Sequence, residues 1–167
     1  HVSADLAAEA AAALEQAGRR ALAREAYAVA RRLFARAAGL EATLERRYLA
    51  ARAAWGMTDI PTVSVEMLDV SEAAHAAGDS RIEVRALTAL ARVALFRDGD
   101  NASARELATR ALGVVEPDDD VGRFDVLEVL GTICWWEGDL DEVERLATER
   151  LPIAERIARP DLQSGVL

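Results

Sequence analysis

The chain has 167 residues, 51% of them hydrophobic, and a formal charge of −9, so it holds enough apolar material for a sizeable core without disulfides or a metal. The acidic balance argues against nucleic acid, whose phosphates want a basic face, and no apolar run approaches the roughly 20 residues of a membrane-spanning helix. A single cysteine, Cys134, excludes an intramolecular disulfide framework and fits a reducing compartment.

All 20 basic residues are Arg, a bias that GC-rich coding explains better than selection for bidentate contacts, and no function is read from it. The sequence opens at His1 with neither Met nor a signal-peptide pattern, which reads as a segment of a longer cytoplasmic chain with arbitrary ends. Alanine is abundant and aromatics are scarce at 5%, the composition of closely packed helices rather than strands. No low-complexity linker interrupts the chain, so one continuous body is expected.

Taken in chain order, the apolar spacing predicts a recurring pair of helices. Leu14, Ala17, Gly18 and Ala21 mark one face, then Tyr27, Ala30, Phe34 and Ala37 another. A blurred pair follows, with Tyr48, Ala51 and Trp55 on its first helix and Val65, Leu68 and Ala73 on its second; Trp55 is expected in the core. Leu87, Leu90, Ala91, Ala94 and Leu95 open a third pair, closed after Gly99-Asp100 by Ala104, Leu107, Ala108, Ala111, Leu112 and Val115. The fourth runs Phe124, Leu127, Leu130, Gly131 and Cys134, then Gly138-Asp139, then Leu140, Val143, Leu146, Ala147, Leu151 and Ala154. The expected hairpins are 3–39, 41–77, 80–116 and 120–158, with a truncated next helix over 161–167.

The turns carry their own signals. Gly78, Gly99 and Gly138 stand where helices should end, and glycine takes the left-handed conformation of a C-terminal cap without a Cβ clash. Each is followed by Asp, which can cap the next helix. Ser80 with Glu83, and Asp139 with Glu142, have capping-box spacing. Pro61 suits a first helical turn, whereas Pro152 falls inside a continuous helical pattern and predicts a kink or break near Arg150 to Pro152.

On these residues the chain resembles the tetratricopeptide repeat, most fully in the first unit through Leu14, Ala17, Gly18, Ala21, Tyr27, Ala30, Phe34 and Ala37. The resemblance implies an all-α, right-handed superhelical solenoid of antiparallel hairpins, about four repeats long. It implies that Gly18 and Ala30 admit close helix approach, while Tyr27 and Phe34 fill the gap to the neighbouring pair. Arg52 and Arg92 stand where the family has a small residue, and Arg150 where it has Ala, so packing there should be looser. Units of about 40 residues also resemble the repeat regions of large bacterial regulators carrying an ATPase module, either transcriptional activators or nucleotide cyclases.

No catalytic equipment is evident. His1 and His75 have no plausible partner nearby in sequence, and His75 reads as a surface residue. Cys134 lies on an apolar stripe and reads as an inert buried thiol. Asp98, Asp100 and Asn101 lack the spacing of a calcium loop, and Asp118 to Asp120 suit a helix N-terminus. Neither an enzyme nor a cofactor nor a metal is expected. Trp135 and Trp136 are adjacent on a helix, about 100 degrees apart, so at least one should reach a surface.

If first helices line the concave side, as the resemblance implies, they present Arg19, Leu49, Ala53, Val93, Phe96, Thr132 and Trp135 as a partner-binding groove. The expected function is a non-catalytic scaffold that docks a peptide, helix or neighbouring domain. The alternative is an intramolecular sensor that binds a small effector or restrains an adjacent ATPase or output domain. Exposed repeat faces leave homodimerisation open.

Overall fold

The computed structural model describes the backbone of residues 2–163 and the side chains of residues 5–157. It is all-helical, with no strand among the described residues. The helices are α1 (Val2–Ala23), α2 (Tyr27–Leu40), α3 (Leu44–Gly56), α4 (Ile60–Ala77), α5 (Ser80–Val93), α6 (Asn101–Val114), α7 (Asp120–Glu137) and α8 (Leu140–Gln163). A π-helical segment, Ala94–Asp98, extends α5. The chain divides into two compact units, His1–Ala77 and Gly78–Leu167.

In the first unit α2 packs against α1, α3 against α2, and α4 against α3. Small residues set the spacing. A Cβ added at Gly18 would sit 2.7 Å from the ring of Phe34, and one at Gly56 would sit 2.2 Å from that of Tyr27. Phe34, fully buried, thus closes the α1–α2 seam, while Tyr27 closes the seam between α2 and α3. Phe34 therefore packs inside its own hairpin, where the repeat resemblance assigns it to the gap with the next pair.

Charged side chains bridge the same seams. Arg46, only 6% exposed, donates to Glu15 at 3.0 Å and to the Glu41 carboxylate and carbonyl at 2.7 and 2.8 Å. Arg19 joins Glu15 to Glu45. Arg31 grips both carboxylate oxygens of Glu66 at 2.8 and 2.9 Å and reaches the Ala50 carbonyl at 3.1 Å, tying α2 to α3 and α4. The Glu66 hydrogen bonds are the main reason the Arg31 guanidinium is held even more firmly charged than usual.

The buried stripe of α4 is Val63, Met67, Val70 and Ala74, spaced by four, three and four, whereas Val65 and Leu68 are exposed. The expected stripe on Val65 and Leu68 therefore had the wrong phase. Apolar residues are spread around this helix, so two phases fit its pattern. Trp55 is half-buried, not a core residue.

In the second unit α6 packs on α5, α7 contacts both α5 and α6, and α8 packs on α7. Their shared core includes Leu87, Leu95, Leu127, Ile133 and Leu146. The caps follow the sequence signals. Asp79, Asp100, Asp119 and Asp139 accept from the backbone N–H groups of Ile82, Ser103, Gly122 and Glu142 at 3.1, 3.0, 2.9 and 3.2 Å. Ser80 is not the cap of α5, since Asp79 takes that place and the Ser80 hydroxyl donates to Glu116 instead.

No helix break occurs at Pro152, because α8 continues from Leu140 through Gln163. Leu146 and Ile153, on either side of the proline, are both buried and hold the helix against the core. Residues 161–163 belong to α8 and do not begin a new helix; the rest of that expected helix, 164–167, lies outside the described residues.

Two predictions follow from these turns. Gly99 and Gly138 carry the left-handed φ angles their turns demand, 66° and 80°, but Thr58 adopts φ 60° at the α3–α4 turn with a β-branched side chain. Such a residue is strained there, so Thr58→Gly should raise stability by about 1 kcal/mol in chemical denaturation. At the other turn, the Ser103 hydroxyl, then its backbone N–H, hold the Asp100 carboxyl below the usual carboxylate range. A depressed folded pKa adds stability that is complete above the ordinary Asp value of about 4 and is lost as pH falls through the folded value. The melting-temperature gap between the parent and Asp100→Ala should therefore be widest at neutral pH and close on acidification.

Candidate interaction surface

The described surface exposes its largest aromatic groups at one end of α5 and α7. Phe96 sits in the π-helical segment and is 52% exposed; Trp135 and Trp136, at the end of α7, are 63% and 50% exposed. Both tryptophans reach the surface. Phe96 and Trp136 pack edge to face, with ring centroids 5.6 Å apart and an interplanar angle of 88°, the arrangement that ring quadrupoles favour.

Val93, Ala94 and Leu95 are buried in succession before Phe96 emerges within the π turn, whose wider ring accommodates an extra residue in the helix. The segment closes at Gly99, whose N–H, with that of Asp100, returns to the Ala94 carbonyl. No pattern of spacing in the sequence announces this turn.

A cleft of about 250 Å³ lies beside Trp135, between α7 and α8. Leu127, Gly131, Thr132, Trp135, Val143, Leu146 and Ala147 line it, with Glu128 and Arg150 at its charged positions. Glu128 is engaged by Arg92 at 2.8 Å. Arg150 instead lies over the Phe124 ring, 4.4 Å from its centroid, with its Nε buried and without a hydrogen-bond partner.

The expected groove residues therefore separate into two kinds. Leu49, Ala53 and Val93 are buried at 1%, 0% and 4% exposure and offer no free surface to a partner. Arg19 is exposed in the first unit, where it borders a shallow cleft on α1 with Ala12, Ala13 and Gln16. In the second unit Phe96 stands in the aromatic cluster, and Thr132 and Trp135 share the α7–α8 cleft. Thr132 donates its hydroxyl proton to the Glu128 carbonyl. Trp136 and Arg150 belong with these residues, although neither was among those expected.

The remaining chemistry-bearing residues have structural surroundings. Cys134 is buried and accepts a hydrogen bond from Arg105 at 3.6 Å. Asp118 pairs with Arg81, Asp119 caps α7, and Asp120 receives a bidentate Arg156, which is the main reason its carboxyl is held below the usual range. His75 is exposed near the end of α4. No group of three His, Cys, Asp or Glu side chains able to hold a metal occurs among the described residues, and no described helix is long and apolar enough to cross a membrane.

No family model matches this sequence, and none of the curated proteins matches it.

Exposure of the paired tryptophans is directly measurable. Iodide should quench most of the tryptophan fluorescence of the parent chain. The Trp135→Phe, Trp136→Phe double variant, left with half-buried Trp55, should emit at shorter wavelength and resist the quencher.

Proposed function

We propose that this chain is a non-catalytic protein-binding scaffold, a tetratricopeptide-like solenoid of helical hairpins within a larger regulatory protein. The exposed cluster of Phe96, Trp135 and Trp136 carries the reading. Large aromatic side chains held on rigid helix ends give contact area at small entropic cost, and aromatic and Arg residues dominate the energetics of interfaces. A monomeric surface has little reason to leave three such rings in water together.

Helices that pack in sequence, with small residues at their seams and Gly-Asp turns, support the solenoid part of the reading. Recognition is the mechanism, with a peptide, a helix or a neighbouring domain docking against the aromatic end. Phe96 and Trp135 are at least half exposed, so truncating them should leave the fold intact. With a ligand selected on the parent chain from a displayed peptide library, Phe96→Ala and Trp135→Ala should each weaken binding by about tenfold or more, with thermal midpoints within a few degrees of the parent. Parental affinity in both variants would remove the assignment.

A further inference from the structure

Charge is spread unevenly along the chain. Residues 1–77 hold 9 Arg against 10 Asp or Glu, close to balance, whereas residues 78–167 hold 11 Arg against 19 Asp or Glu. Most arginines of the second unit are already engaged. Arg81, Arg92, Arg105, Arg123, Arg145 and Arg156 each pair with a carboxylate, so the surplus shows itself as acids with no cation beside them.

Part of that surplus gathers where the three exposed rings are. The contact between Phe96 and Trp136 brings the C-terminal end of α5, extended by its π turn, beside the C-terminal end of α7. The last carbonyls of a helix are its negative pole, and here two such ends meet. Asp98 and Asp100 follow Phe96, and Glu137, Asp139 and Asp141 follow Trp136, all of them exposed. Asp100 and Asp139 cap the next helices, and Glu137 is taken by Arg105. Asp98 and Asp141 have no partner among the described residues. Within 96–100 and 135–141 the one basic residue is Arg97.

We propose that this end of the second unit captures a basic segment of a partner protein, with an Arg or Lys side chain over an exposed tryptophan face and Asp98 and Asp141 meeting its charge. The inference deepens the proposed function and rests on the aromatic cluster being an interface. A ring quadrupole attracts a cation, most strongly over indole. Free carboxylates beside two helix C-termini repel an acidic partner and steer a basic one, and a wholly apolar partner would have to desolvate those charges unpaired. Phe96 and Trp136 lie across the seam of α5 and α7 and do not line the α7–α8 cleft that Trp135 borders, so a helix filling that cleft would leave the pair outside it.

The test uses the 167-residue chain, fluorescence anisotropy at about 0.15 M salt, and a short labelled peptide of repeated Gly-Leu-Arg triplets beside versions with Gln or Glu in place of every Arg. The basic peptide should bind, the Gln peptide about tenfold more weakly, and the Glu peptide not at all. Asp98→Asn combined with Asp141→Asn should weaken the basic peptide about tenfold, as should Trp135→Ala combined with Trp136→Ala, whereas Arg97→Glu should tighten it about threefold. Asp98, Asp141 and Arg97 are exposed, so circular dichroism and melting of their variants should match the parent. Glu155→Gln, roughly 22 Å along α8 from Leu140, should bind as the parent does. No binding of the basic peptide, equal affinity for the Gln peptide, or parental affinity in the Asp98 and Asp141 double variant would each overturn the basic partner. Equal weakening by Glu155→Gln would also overturn it, by showing attraction to the acidic surface at large. The library-selected ligand decides the interface separately. If Phe96→Ala and Trp135→Ala weaken that ligand while the Gln and basic peptides bind alike, the interface stands and the basic partner falls; if neither substitution affects either ligand, both fall.

Discussion

An amphipathic helix leaves one stripe that water disfavours, and within each unit of this chain neighbouring helices cover one another's stripes. Alanine and glycine make the cover close, because a seam with Gly18 facing Phe34 or Gly56 facing Tyr27 has no room for another carbon. The favourable term is burial of apolar area along these seams, about 25 cal/mol per Å². Arginine–carboxylate bridges cross the same seams, but most are partly exposed and worth about 0–1 kcal/mol each. Their stronger effect is on register. Arg31 can hold both Glu66 oxygens and the Ala50 carbonyl only when α2, α3 and α4 are correctly aligned.

The helices were legible in the sequence wherever a turn signal and an apolar stripe agreed. Gly99-Asp100 and Gly138-Asp139 bound α6 and α8 because glycine and aspartate have distinct conformational tasks there, and those tasks leave little choice of residue. The signal failed on α4, where apolar residues stand on several faces and only the packing of α3 selects Val63, Met67 and Val70 over Val65 and Leu68. At Pro152 the helix shows no break. Proline removes one backbone donor, yet burial of Leu146 and Ile153 on both sides keeps the helix continuous, a tertiary effect that local propensity does not contain.

The candidate surface was legible in part. Adjacent Trp135 and Trp136 cannot share one stripe, and that angular argument identified exposure correctly. Helix position alone could not separate Phe96 from Val93, because burial depends on what covers each face and on a π turn that the spacing does not encode. Arg150 was read as a blemish in small-residue packing. The structure lays it over the Phe124 ring, a contact that the repeat alignment does not contain.

The bridges also have a chemical consequence. Every cation in them is a guanidinium, and the sequence contains no Lys, so no side chain of this stretch carries a primary amine. Acetylation and ubiquitin transfer directed at lysine have no side-chain acceptor here, and amine-reactive dyes or cross-linkers find none either. Switching of these seams by charge-removing acylation is thereby closed off, and the helix register stays indifferent to that whole class of modification.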